Sequence, residues 1–180
     1  YEIVELAGRG NFELELKSAL EKAPPPGNFK IFFFTRRGAE GETILLGPEK
    51  FMELAGLKPP PRLSTNIEAV NLGVFSAATG NFSFLIMKVS SFENSFSGAL
   101  LWEKEMWREL GMFFPELKEL SELEIFFEDK IIKNQDVRAL ESGGQPKLLY
   151  TFFNKNLLII TSSERALEEI LSRYAIFPPA

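Results

Sequence analysis

Paired strand signals followed by helix signals predict an α+β fold for this 180-residue chain: antiparallel sheet(s) built from repeated strand–strand–helix units, with helices packed mainly on one face. Three observations lead there. Short apolar runs bounded by Gly, Asn and Pro occur in hairpin-spaced pairs. A stretch with helical apolar periodicity follows each pair. Helix stops are identifiable at Pro24-Pro25-Pro26-Gly27, Gly56, Gly111 and Phe177-Pro178-Pro179.

Taken in order, YEIVEL at the start reads as a strand or extended arm ended by Gly8-Arg9-Gly10. Residues 12–23 read as a helix with Asn11 as N-cap and Phe12, Leu16, Ala19 and Leu20 on one side. FKIFFFT at 29–35 is a strongly apolar strand, with ETILL at 42–46 as its hairpin partner. Pro48 then opens a short helix that Gly56 closes. Pro59-Pro60-Pro61 is stiff and cannot feed a sheet ladder, so a single domain over 1–180 is expected to divide, if anywhere, into 1–58 and 62–180.

Two strands are expected at 68–77 and 82–90, then a long helix over 92–110 with Ser91 as N-cap. Phe92, Phe96, Leu100 and Trp107 fall near one helical face, which is the expected core stripe. Residues 116–122 read as a short helical turn. Strands follow at 123–128, 131–140, 147–153 and 157–161, with turns at Ser142-Gly143-Gly144 and Asn154-Lys155-Asn156. Thr161-Ser162-Ser163-Glu164 reads as a capping box opening a last helix, with Ala166, Leu167, Ile170, Leu171 and Tyr174 inward.

Composition narrows the chemistry. A net charge of −5 argues against nucleic acid or anionic lipid as the main partner, since both need a concentrated basic surface. Without Cys or His there is no disulfide, thiol nucleophile or zinc-thiolate site, and the commonest general base and metal ligand are missing. Phe is the abundant aromatic, 18 against three Tyr and two Trp, and most of these rings are expected in the core. Apolar runs stop well short of the roughly 20 residues that span a bilayer. Opening on Tyr1 rather than Met reads as a trimmed start, with an anchor expected upstream.

Carboxylates are then the main acid–base groups. Glu124, Glu128, Asp129 and Asp136 lie in the strand-rich region, where two of them on one hollow would serve as acid and base or hold Ca²⁺ or Mg²⁺. The alternative is a solvated turn with cross-strand pairs to Lys130, Lys133 and Arg138. Ser90, Ser91 and Ser95 to Ser97 sit in no nucleophile motif, and Lys88 is the one nearby base for a Ser–Lys dyad. Those two lysines and Arg138 beside Phe126 and Phe127 mimic an RNA surface, against the acidic total. No catalytic, cofactor-binding or metal residue is assigned.

Trp102 is the candidate partner surface. Trp102 and Trp107 lie about 140° apart on an ideal helix, so with Trp107 in the core Trp102 lies toward the edge of that face or outside it, where an exposed indole anchors partners. The alternative places Trp102 over a second sheet or over Met112-Phe113-Phe114.

The segments FSGALLWEK (96–104), FEDKIIKNQDVR (127–138) and LYTFFNKNLLIIT (149–161) resemble a group of membrane-anchored proteins of unknown role from candidate-phyla (Patescibacteria-type) bacteria. The likeness is clearest over 75–171, and the Pro-Pro-Pro-Gly-x-Phe piece at 24–29 extends it forward. It implies an N-terminal membrane-spanning segment, absent from this chain, followed by an extracytoplasmic domain, with no catalytic residues and no cofactor. The expected function is therefore non-catalytic binding or scaffolding in a single-pass envelope protein, its partner another protein or itself. The alternatives are a ferredoxin-like periplasmic component of a type IV pilus or secretion apparatus, and a carboxylate-dependent hydrolase.

Overall fold

A computed structural model of the chain describes residues 1–6, 12–121 and 125–176. Strand β1 (Glu2–Leu6) is followed by helix α1 (Phe12–Glu21), β2 (Phe29–Arg37), β3 (Thr43–Leu45), α2 (Pro48–Ala55) and α3 (Pro61–Ser64). Then come β4 (Ile67–Ala77), β5 (Gly80–Val89) and α4 (Phe92–Glu109). Two 3-10 turns at Leu110–Met112 and Pro115–Glu119 lead to β6 (Phe127–Ile132), β7 (Gln135–Ser142), β8 (Gln145–Phe153), β9 (Leu157–Thr161) and α5 (Glu164–Ile176). The α+β class and the hairpin-then-helix rhythm stand. Asn11, Gly8 to Gly10, Glu124 and Phe177 to Pro179 lie outside the described residues.

The nine strands of the described residues form one sheet in the order β1-β2-β4-β5-β9-β8-β7-β6, with β3 also on β2. Only the β1–β2 pair is parallel. The sheet runs straight across the proline stretch, because β2 pairs with β4 from Phe29↔Phe75 to Phe32↔Leu72. Helix α4 carries the chain from β5 to the far edge, and the β6–β9 meander brings it back until β9 pairs with β5.

Side chains alternate between two cores, as a pleated sheet with both faces covered requires. On β5, Leu85 and Met87 join the first core while Phe84 and Ile86 join the second; on β9, Leu158 and Ile160 oppose Leu157 and Ile159 in the same way. Helices α1 to α4 close the first face with Phe12, Leu16, Phe51, Leu63, Trp102 and Met106. Helix α5 covers the second with Ala166, Leu167, Ile170 and Leu171.

Local signals explain most element ends. Pro48 stands in the first turn of α2, and Gly56 (φ 68°) takes the left-handed position that ends it, with Leu57 N–H donating to Met52 O at 2.9 Å. Ser163, one residue before α5, accepts from Ala166 N–H at 3.3 Å, so the cap lies two residues beyond Thr161. The first meander turn also differs from expectation. It falls at Lys133-Asn134, both at positive φ (51° and 60°), and not at Asp129-Lys130. A tight hairpin turn needs two left-handed residues, and Asn supplies one cheaply while Lys gives no such signal.

Helix α4 differs from its predicted orientation by about one residue, or about 100°. The stripe packed inward is Ser95, Gly98, Ala99, Trp102 and Met106, whereas Phe96 and Leu100 are 37% and 39% exposed. Gly98 sets this rotation. A Cβ there would lie 2.5 Å from Leu63 N, so the α3 backbone seats directly on the glycine.

Candidate functional site

The corrected rotation of α4 moves the candidate partner residue into the core. Trp102 is 1% exposed, and its Nε1–H donates to Glu109 Oε2 at 2.8 Å. The same oxygen accepts Lys58 N–H at 2.7 Å, so Trp102 helps pin α4 to the α2–α3 linker and presents nothing to a partner. Trp107 is also buried, with Nε1–H on Lys104 O and the Arg108 guanidinium 4.7 Å from its ring. Both indoles are covered despite their angular separation because α4 is packed along α3 as well as against the sheet and the 3-10 segment.

What α4 shows to solvent faces the meander. Its flank carries Phe96 and Leu100, with Leu101 (56% exposed) beside them, and Phe126 (68%), just before β6, stands across from Leu100. Between helix and meander lies a groove whose middle is a polar bridge. Arg138 of β7 donates Nε–H and Nη2–H to the two oxygens of Glu103 on α4, at 2.8 and 2.9 Å. Its Nη1–H reaches Asp129 Oδ1 of β6 at 2.9 Å, and Nη2–H also meets Phe127 O at 3.1 Å. Tyr150 of β8 donates its hydroxyl to Glu103 Oε1 at 2.7 Å. Four elements are thereby tied at one point by charge-assisted hydrogen bonds of the stronger kind.

Burial, aided by the hydrogen bond to Glu103, pushes the Tyr150 phenol well above its ordinary range. Glu103 likewise holds Arg138 more firmly charged, against the opposing effect of burial. Four of the five N–H groups of this guanidinium have acceptors within the protein, so the bridge is a clamp.

Two hollows flank it. One, about 490 Å³, is lined by Leu100, Lys104, Trp107, Ile125, Phe126 and Arg138 among others. The other, about 370 Å³, has an aromatic floor of Phe92, Phe96, Phe152 and Tyr150, whose rings meet at 5.6 to 6.5 Å. Its rim carries Asp129, Asn134, Gln135, Asp136, Asn154 and Lys155.

The sequence-chosen carboxylates separate on this frame. Asp129 and Asp136 both line the second hollow, but Asp129 is committed to Arg138. Glu128 pairs across to Ala139, a residue of the second core, and so points to the opposite face. Among the described residues, no group of three or more Asp and Glu could hold a metal ion. The serines are spread: Ser90 Oγ donates to Asn66, Ser97 Oγ accepts from Arg62, and Ser95 is fully buried. Lys88 is paired with Glu68 at 3.0 Å. Lys130 is bonded to Glu141 and Arg138 to Glu103, which divides the basic cluster between two faces of the sheet.

Sequence reasoning missed Glu103, Tyr150 and the exposed α4 flank. One signal was there: Ser95, Gly98 and Ala99 are the small residues of α4 and mark its face of closest approach. No family model matches the chain, and no curated protein or solved structure matches it.

Proposed function

We propose that this chain is a non-catalytic binding domain that takes a protein partner along the groove between α4 and the meander. One observation carries the reading. Phe96, Leu100 and Phe126 are large apolar side chains left in water around a single groove, while the charged groups at its centre are already bonded to one another. Apolar anchors around a rigid polar centre suit protein docking, where aromatic and aliphatic contacts carry most of the affinity. The extracytoplasmic setting, with a membrane-spanning segment outside this chain, rests on the resemblance. Its three quoted segments supply α4, β6, β7, β8 and β9, which are the elements that frame the groove.

The test places a photo-crosslinking residue at Leu101, beside the flank, in the full-length protein in its native membrane. The expected product forms with one protein and is competed away by excess wild-type domain, but not by domain carrying Leu100→Asp and Phe126→Asp. Crosslinking that both domains compete equally would refute the reading. The partner's identity also separates a pilus or secretion component from a free-standing envelope protein.

A carboxylate-dependent hydrolase is the second reading, favoured by the shared position of Asp129 and Asp136 on one hollow. It requires turnover that Asp136→Asn abolishes, and a domain inert toward glycoside and ester substrates removes it.

A further inference from the structure

We propose that β6 pairs with β6 of a second copy of this chain, antiparallel, about a two-fold axis at Asp129. The sheet ends on β6, so among the described residues no strand lies on its outer side. An unpaired strand edge is a ready template for another strand, which proteins usually blunt with charges or cover. Here the strand has charges, but they are of both signs (Glu128, Asp129 and Lys130), and exposed apolar side chains flank them: Phe126 is 68% and Ile131 76% exposed.

The register follows from side-chain chemistry. With Asp129 on the axis, each Glu128 lies opposite Lys130 of the second copy and each Phe127 opposite Ile131. Directly opposed residues share a face, so two ion pairs form on one side of the joined sheet and two Phe127–Ile131 pairs on the other. Phe127 already belongs to the first core, which would extend through the junction. The like charges at the axis are moderated because each Asp129 is held by its own Arg138 at 2.9 Å. Lys130 keeps its bond to Glu141 and has further N–H groups for Glu128. Moving the axis to Lys130 would oppose the two lysines and set Asp129 against Ile131, which offers no match.

The other sheet edge makes a useful contrast. Strand β1 also shows apolar side chains, with Ile3 60% exposed, but its charges are Glu2 and Glu5 and it has no base. Those carboxylates are already bonded to Lys22, Lys30 and Arg37 of the same chain, and a self-pair of β1 brings no base opposite them, so charge complementarity selects β6. Six residues from each copy make a small interface, so a weak, reversible dimer is expected. The inference deepens the binding-domain reading by naming the partner of one edge. A monomeric protein that still docks a partner in the groove would overturn the pairing and leave that reading intact.

Sedimentation equilibrium of the chain, with circular dichroism to verify each fold, tests the pairing. The expected result is a monomer–dimer equilibrium with Kd in roughly the micromolar range. Ile131→Lys should weaken it about tenfold or more, as should Glu128→Lys, while Lys130→Glu added to Glu128→Lys restores association. Ile3→Lys on the opposite edge should leave it unchanged. Hydrogen exchange at the β6 amides should slow as concentration rises. A monomer at every concentration, or a dimer that Ile131→Lys leaves intact or Ile3→Lys abolishes, overturns the proposal.

Discussion

The two faces of the sheet are closed in different ways. Four helices cover the first face, and they also lock to one another: Gly98 of α4 seats on α3, and Trp102 reaches Glu109, which holds the α2–α3 linker. Among the described residues, the second face has α5 alone. That helix covers the middle of the sheet and leaves a hollow of about 250 Å³ toward β2, lined by Phe29, Ile31, Phe84, Ile86, Ile170, Arg173 and Tyr174. Arg173 spans part of the gap, with its guanidinium 4.6 Å from the Phe29 ring and a hydrogen bond to Gly27 O at 2.9 Å. A face closed by several elements can bury two flanks of one helix; a face closed by one helix buries one stripe and leaves the sheet margin half-covered.

Breaking the first face should cost the most. Trp102→Ala removes a fully buried indole and one donor to Glu109, and is expected to lower stability by about 3–5 kcal/mol in urea unfolding. Trp102→Phe, which keeps much of the volume, should recover a large part of that loss, which separates packing from the hydrogen bond.

On the second face the corresponding change is Leu167→Ala, expected to cost about 2–4 kcal/mol. Because α5 has no neighbouring helix to hold it, hydrogen exchange in that variant should rise in α5 before it rises in α1 to α4. Equal loss of protection on both faces would show that the cores unfold as one unit.

Gly98→Ala sharpens the contrast at the helix–helix contact. The new methyl meets Leu63 backbone and Cβ at 2.5 to 2.7 Å, so α3 must move, at about 1–3 kcal/mol. Alanine's better helix propensity, worth up to about 1 kcal/mol, offsets part of this. A more stable Gly98→Ala protein would refute the close approach.

The alkaline limb of stability should report the clamp. Tyr150 is held above the ordinary value of 10.0 by burial and by Glu103, and burial alone raises Tyr174 on the other face. Their pKa values are higher folded than unfolded, so this contribution is complete below the unfolded value and is lost as pH rises beyond about 10. Tyr150→Phe should therefore flatten the decline in thermal midpoint between about pH 9 and 11, where the wild-type unfolded chain releases a proton. The smallest change is Ser163→Ala at the start of α5, expected to cost about 1 kcal/mol.

How far these features could be read in advance depended on how local their causes are. Pro48, Gly56 and Ser163 act within one helical turn, so the ends of α2 and the start of α5 were legible to within two residues. The Gly143-Gly144 and Asn154-Lys155 turns were legible for the same reason, all four residues having positive φ. The orientation of α4 was not. Its apolar residues span more than half its circumference, so periodicity alone could not choose between the Phe92–Phe96–Leu100 flank and the Ser95–Ala99–Trp102 flank. The clamp was equally hidden, since Glu103, Asp129, Arg138 and Tyr150 come from four elements and up to 47 residues of chain separate the bonded pairs.

The sequence by itself determined the α+β class, the succession of hairpins and helices, and the loss of His- and Cys-based chemistry, because those follow from composition, turn residues and periodicity within short windows. The tertiary structure decided that the strands form one sheet, that α4 turns Trp102 inward, and that a groove bridged by Glu103 and Arg138 faces the solvent. Those outcomes depend on which surfaces meet: a glycine that admits a neighbouring backbone, and charged side chains that find partners only once distant strands have paired.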